Sequence, residues 1–170
     1  PLQAFTDLFT IEEFKTVERP KVVLTWAPHP RALPQAVANS FVKWTNKTDY
    51  EFVITHPEGY ELATDLTSGC RIDHDQSKAF EGADFIYAKN WSSYTDYGTI
   101  LPTVADWTVT QDKMALTNNA RFMHCLPVRR NVVVEDAVLD SPASVVIPQA
   151  GNRAIIAQTI LSAILKRINN

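Results

Sequence analysis

Apolar residues in this chain gather into short unbroken runs separated by mixed segments, which predicts strands buried on both faces alternating with helices. Five runs read as strands: residues 21–26, 50–55, 84–88, 120–124 and 143–147. Helical periodicity fills the gaps between them. Residues 6–17 follow a Thr-Asp start that resembles a cap, and residues 33–47 space Leu33, Ala36, Val37, Phe41 and Trp44 along one helix face. Shorter helices are predicted at 75–80 and 111–118, and residues 152–168 carry a broad apolar stripe suited to docking. Strands alternating with helices predict an α/β fold, doubly wound, with a mostly parallel five-stranded sheet and helices on both faces.

Ligands of such sheets bind beyond the carboxyl ends of the strands. The loops there span residues 27–35, 56–60, 89–98, 125–131 and 149–153, and nearly every unusual polar residue falls in one of them. That coincidence points to a binding site. Composition narrows its class. Of 170 residues 45% are hydrophobic and the formal net charge is -3, with basic residues scattered, so no stripe suited to nucleic acid exists. No apolar run approaches the roughly 20 residues that span a bilayer. Cys70 and Cys125 match neither a disulfide framework nor a metal-ligand spacing, and reduced cytosolic thiols are the expectation. No glycine-rich phosphate loop is present, so no nucleotide cofactor is implied. The start lacks a cationic, then apolar, leader, and its opening on Pro1 rather than Met leads us to expect a preceding segment.

The segment His124-Cys125-Leu126-Pro127-Val128-Arg129-Arg130-Asn131 carries the most chemistry. A thiol and main-chain carbonyls sit at a strand end, a Leu-Pro bond there can be cis, and two adjacent arginines offer donors for carboxylate or phosphate. On residue types alone the alternative is a buried thiol beside two solvated arginines. A cysteine nucleophile needs a base, and alternation along the strand turns His124 to the other face, which opposes covalent catalysis. Trp91, Tyr94 and Tyr97 read as loop packing rather than base stacking, and His56 and His74 as structural.

His-Cys-Leu-Pro followed by basic residues resembles the signature of the aspartate and ornithine carbamoyltransferase superfamily. Residues 1–10, Pro-Leu-Gln-Ala-Phe-Thr-Asp-Leu-Phe-Thr, resemble that family's His-Pro-x-Gln motif and the helix after it, and Asn152-Arg153 resembles its arginine at the start of the last helix. The Trp-Ala-Pro-His-Pro-Arg-Ala-Leu-Pro-Gln loop, Lys89-Asn90-Trp91 and Leu-Pro-Val-Arg-Arg-Asn are similar to the N-acetylornithine and N-succinylornithine transcarbamylases.

The resemblance implies the second, amino-acid-binding domain over residues 1–150, with 151–170 a helix that docks on a carbamoyl-phosphate domain. It implies that Gln3, Cys125, the Leu126 carbonyl and Arg153 hold carbamoyl phosphate, with Cys125, Leu126 and Arg153 at the reacting centre. His29 and Lys89 would hold the carboxylate end of an N-acylated ornithine, and Arg129 a second carboxylate such as a succinyl group's. It further implies a cytoplasmic homotrimer of arginine biosynthesis, needing no cofactor or metal. It also implies a knot, with the loop after the third predicted strand threaded through the loop at residues 28–35. The family's phosphate motif, Ser-x-Arg-Thr-Arg, does not occur in this chain, so the segment alone is expected to be inactive. A non-catalytic amino-acid-binding module of the same fold is the alternative.

Overall fold

In a computed structural model the chain is described over residues 2–100 and 106–168. Five parallel strands form one sheet in the order β3-β2-β1-β4-β5: β1 (Lys21–Trp26), β2 (Glu51–Thr55), β3 (Arg71–Asp73), β4 (Phe85–Lys89) and β5 (Arg121–Met123). The unbroken apolar runs have the predicted cause. In β1, Val22, Leu24 and Trp26 enter one core while Val23 enters another across the sheet. In β4, Phe85 and Tyr87 likewise oppose Ile86 and Ala88. A strand with both faces buried has no solvent side to mark with polar residues.

Helices α1 (Leu2–Phe14) and α2 (Ala36–Thr45) cover the first face with Leu8, Ile11, Ala38, Phe41 and Val42. Helices α4 (Gln76–Phe80) and α6 (Asp136–Leu139) cover the second with Ala79, Phe80, Val138 and Leu139. Short helices α3 (Thr64–Thr67) and α5 (Gln111–Met114) lie in the connections, and α7 (Val146–Ile168) packs along α1.

One predicted strand is absent. Residues 143–147 touch the sheet only through a single bridge, Ser144 beside Phe122, before the chain turns into α7 at Val146. The run is apolar because Val145 and Val146 plug opposite cores, not because it extends a ladder. Pro148 fits the first helical turn, where its missing N–H has no partner to lose. Arg153 therefore lies inside α7 rather than at its start.

The fifth strand is instead β3, an exposed, charged edge whose Arg-Ile-Asp carries no apolar run to reveal it. Helix α1 spans Leu2–Phe14 rather than opening at Thr6, and within it the Thr6 and Thr10 hydroxyls donate back to the carbonyls four residues earlier, at 3.0 and 2.9 Å, instead of capping a helix start.

The connection after β4 is fastened to the proline-rich loop after β1. Ser92 N–H donates to the Leu33 carbonyl at 2.8 Å, and the Gln35 side chain donates back to the Ser92 carbonyl at 2.7 Å. The indole of Trp26 donates to the Trp91 carbonyl at 2.9 Å. Further on, Lys113 Nζ brackets the returning chain, donating to Gln76 Oε1 at 2.6 Å, to the Thr108 carbonyl at 3.0 Å and to the Asp106 carbonyl.

Candidate active site

The carboxyl ends of β1, β4 and β5 deliver the site. Trp26 pairs with Lys89 in register, and Tyr87 pairs with Met123, so the loops that follow leave the sheet side by side. Beyond β5 the chain turns sharply: Leu126 has φ 47, and the Leu126–Pro127 bond is cis. Two hydrogen bonds hold this turn. The His124 main-chain N–H donates to Gln149 Oε1 at 3.0 Å, and the Leu126 N–H donates to His124 Nδ1 at 3.0 Å.

An imidazole nitrogen that accepts must be unprotonated, so His124 is neutral with its proton on Nε2. Burial holds its pKa down at about 3, reinforced by the nearby charge of Lys89. His124 thus works as a fixed acceptor that aims Leu126, and the half-buried Cys125 lies between them.

On one side of this turn lie two cations, Lys89 and Arg129, with the imidazole of His29. Arg129 Nε donates to His29 Nε2 at 3.3 Å, so His29 carries its proton on Nδ1, within 2.9 Å of the Arg31 carbonyl. Lys89 stands at the end of β4, close enough to depress His124. Neither Lys89 nor Arg129 pairs with a carboxylate among the described residues. The neighbouring arginine behaves differently. Arg130 bonds Asp136 and Asp140 at 2.7 Å and fastens the turn to α6. Of the two adjacent arginines singled out in the sequence, one is engaged in the scaffold and the other has no carboxylate partner among the described residues.

On the other side lies a buried polar network. Asp7 is fully enclosed, and its Oδ1 accepts from Gln3 Nε2 and from Gln149 Nε2, each at 2.7 Å. Asn152 extends the contact between α1 and α7 by donating to Thr10 Oγ1 at 3.1 Å and Glu13 Oε2 at 2.8 Å. Burial pushes the Asp7 carboxyl up to about 6, opposed by the donors Gln149 and Gln3, by Tyr87 and by the charge of Arg153. The Tyr87 hydroxyl sits beside Asp7 and Cys125, and burial with those neighbours holds it well above the usual phenol range. Arg153 also closes a groove of about 570 Å³ whose walls include Leu126, Pro127, Leu139 and Val146.

All seven residues singled out in the sequence thus connect to one turn. Gln3 and Arg153 reach it through Asp7, Cys125 and Leu126 form it, and His29, Lys89 and Arg129 flank it. Sequence reading missed Asp7, Tyr87, Gln149 and the role of His124. Asp7 carried a signal, since it shares a helical face with Ala4 and Ile11, where a carboxylate must have partners. Trp91 packs as expected, fully buried with its indole on the Tyr60 carbonyl, whereas Tyr94 and Tyr97 are 56% and 64% exposed. His56 and His74 stack edge to face, and each ring nitrogen Nδ1 bonds a main-chain carbonyl. No described helix is long and apolar enough to cross a membrane.

Residues 34–164 match the model for the Asp/Orn-binding domain of aspartate/ornithine carbamoyltransferase. The chain is 63% identical to the N-succinylornithine carbamoyltransferase of Bacteroides fragilis, covering 99% of this chain and 54% of that protein. It is 36% identical to the N-acetylornithine carbamoyltransferase of Xylella fastidiosa, over 96% of this chain and 55% of that protein. The chain spans about half the length of the curated relatives it matches. Among solved structures, acetylornithine transcarbamylase complexed with acetylcitrulline superposes with a TM-score of 0.87 at 35% identity, covering 96% of this chain and 55% of that one. A variant N-acetyl-L-ornithine transcarbamylase complexed with carbamyl phosphate and N-succinyl-L-norvaline gives 0.86 at 35%, with the same shares covered.

Proposed function

The chain belongs to the aspartate/ornithine carbamoyltransferase family, and from that premise we propose that it is the amino-acid-binding half of an enzyme that carbamoylates the δ-amine of an N-acylated ornithine. The observation that carries the reading is the pair of cations Lys89 and Arg129, left without carboxylate partners among the described residues, with the His29 imidazole beside them at the Cys125–Leu126 turn. Cations without carboxylate partners suit a ligand that brings its own carboxylates. An acylated α-nitrogen is uncharged and needs no acidic partner. A free ornithine would need one. Arg129, a cation beyond the α-carboxylate grip, also favours succinyl, which adds a second carboxylate, over acetyl, and the 63% identical relative bears the succinyl name.

In this reading His29 and Lys89 hold the α-carboxylate and Arg129 the acyl carboxylate. Gln3 and the Leu126 carbonyl hold the carbamoyl amide, and Cys125 lies against the amide and the incoming amine. The neutral δ-amine attacks the carbonyl carbon of carbamoyl phosphate, and Arg153 donates to the oxygen on which negative charge grows. The tetrahedral intermediate collapses as the bond from carbon to the bridging oxygen breaks. Phosphate leaves with that electron pair and takes up the proton that the δ-nitrogen gives up. Orientation supplies most of the remaining acceleration.

The phosphate grip is assigned to a further region of the polypeptide, since no Ser-x-Arg-Thr-Arg occurs here. Residues 151–170 are assigned to docking on that region. Support comes from Ile155, Leu161, Ile164 and Leu165, each at least half exposed on α7. Homotrimeric assembly, a cytoplasmic location and the threaded loop belong to the same proposal. Part of the threading segment, residues 101–105, lies outside the described residues. To test the function, the complete polypeptide carrying these residues is supplied with carbamoyl phosphate and N-succinylornithine, N-acetylornithine or ornithine in turn. Turnover of N-succinylornithine well above the other two is expected. Turnover of ornithine alone, or of none of the three by folded protein, overturns the proposal.

A further inference from the structure

The carbamoyl end of the site depends on a side chain with no role in the steps above. Asp7 Oδ1 accepts two side-chain bonds at 2.7 Å, from Gln3 Nε2 and Gln149 Nε2, and Gln149 Oε1 in turn accepts the His124 main-chain N–H at 3.0 Å. Elementary chemistry fixes the direction of each bond. A main-chain N–H can only donate, so Gln149 presents its oxygen to His124 and its NH2 to Asp7. An ionised carboxylate can only accept, so Gln3 must also present its NH2 to Asp7. The Gln3 oxygen is left without a hydrogen-bond partner among the described residues.

Resting on the carbamoyl-transfer reading, we propose that Asp7 is a positioning residue that turns the Gln3 carboxamide so that its oxygen faces the carbamoyl NH2, and that ties this orientation through Gln149 to the turn at residues 124–126. A carboxamide free to rotate would offer NH2 to NH2 in half of its orientations, and the substrate amide would meet a donor where it needs an acceptor. Asp7 touches neither substrate nor reacting atoms. It acts through Gln3 on one helix and Gln149 on another, so one enclosed oxygen sets both walls of the carbamoyl subsite.

Kinetics of the complete polypeptide test this. Asp7→Ala is expected to raise KM for carbamoyl phosphate on the order of tenfold, one lost oriented hydrogen bond, with KM for the acylated ornithine and kcat within about twofold. Asp7→Asn keeps an acceptor at Oδ1 and should recover most of that loss, to within about threefold of the unaltered protein. In a Gln3→Met background the Asp7→Ala effect on KM should vanish, because the group through which it acts is gone. An unchanged KM in Asp7→Ala, an Asp7→Asn as impaired as Asp7→Ala, or full additivity with Gln3→Met overturns the proposal.

Should Asp7→Ala fail to fold, nuclear magnetic resonance of the unaltered protein decides. The Gln3 side-chain NH2 should show one proton protected from exchange, and two freely exchanging protons overturn the assignment. Absence of carbamoyl transfer by the unaltered protein refutes the function, whereas altered-protein kinetics with normal wild-type turnover bear on Asp7 alone.

Discussion

Replacing Asp7 with Asn should make the chain more stable at neutral pH, and by an amount that depends on pH. Asp7 is enclosed on α1 and receives two donors on Oδ1, while its Oδ2 has no hydrogen-bond partner among the described residues. Burial raises its carboxyl from the ordinary 3.8 to about 6, so folding disfavours the ionised form despite the Gln149 and Gln3 bonds. The sign follows. A folded-state pKa above the unfolded one contributes stability fully present below about pH 4 and lost as pH rises through about 6. At about 1.4 kcal/mol for each tenfold change in acidity, the loss approaches roughly 3 kcal/mol by pH 7.

Asn keeps the acceptor and has no charge to desolvate. Its advantage over Asp should therefore be small near pH 4 and grow to roughly 3 kcal/mol by pH 7, or about 6–12 °C in Tm for a chain of this size. Thermal and urea unfolding of the chain and of Asp7→Asn, at half-unit steps from pH 4 to 8, measures the difference. A variant less stable than the parent at pH 7, or a gain that does not change with pH, refutes the reasoning.

Four further outcomes can be checked directly. Arg129→Met should raise KM for the acylated ornithine at least tenfold in the complete polypeptide while leaving KM for carbamoyl phosphate within about twofold, as expected for one lost charge-assisted pair. Arg130→Met, which breaks the contacts to Asp136 and Asp140, should instead lower Tm and spare both constants. Lys113→Met removes three donor contacts in a half-buried bracket and should cost about 1–2 kcal/mol in urea unfolding, after allowance for solvent screening. The ring protons of His124, held neutral by burial, should show no titration between pH 5 and 9 in nuclear magnetic resonance.

The sheet was legible where burial on both faces left a continuous apolar run, as in β1, β2, β4 and β5. Runs alone do not say whether a segment pairs with a neighbour. Val145 and Val146 fill two cores from a helix start, and nothing local separates that from a strand. The edge strand β3 failed the opposite way, because an exposed edge with Arg71 and Asp73 has no run to find. Candidate site residues were picked out in the sequence because they fall where the chain leaves the carboxyl ends of the strands, and the structure brings His29, Lys89 and Arg129 beside one turn. Their supports were not. Gln149 and Asn152 look like the polar face of a surface helix until α1 is placed against them.

That placement explains why the site's polar anchor lies at the junction of α1 and α7. Val146, Gln149, Asn152 and Ile156 are the buried residues of α7, so its contact with the rest of the chain is confined to the first half of the helix. The second half, about 18 Å at 1.5 Å per residue, carries Leu161, Ile164 and Leu165 into solvent. A rigid helix of this kind transmits displacement along its axis. Gln149, on the same helix as the distal stripe, bonds both Asp7 and the His124 main chain, the two groups that hold Gln3 and Leu126. If the phosphate-holding region occupies that stripe, its docking and the alignment of the carbamoyl subsite are one mechanical event. Shortening α7 before Leu161 should then raise KM for carbamoyl phosphate in the complete polypeptide although every residue of the subsite remains. An unchanged KM with an intact fold would uncouple the distal helix from the site.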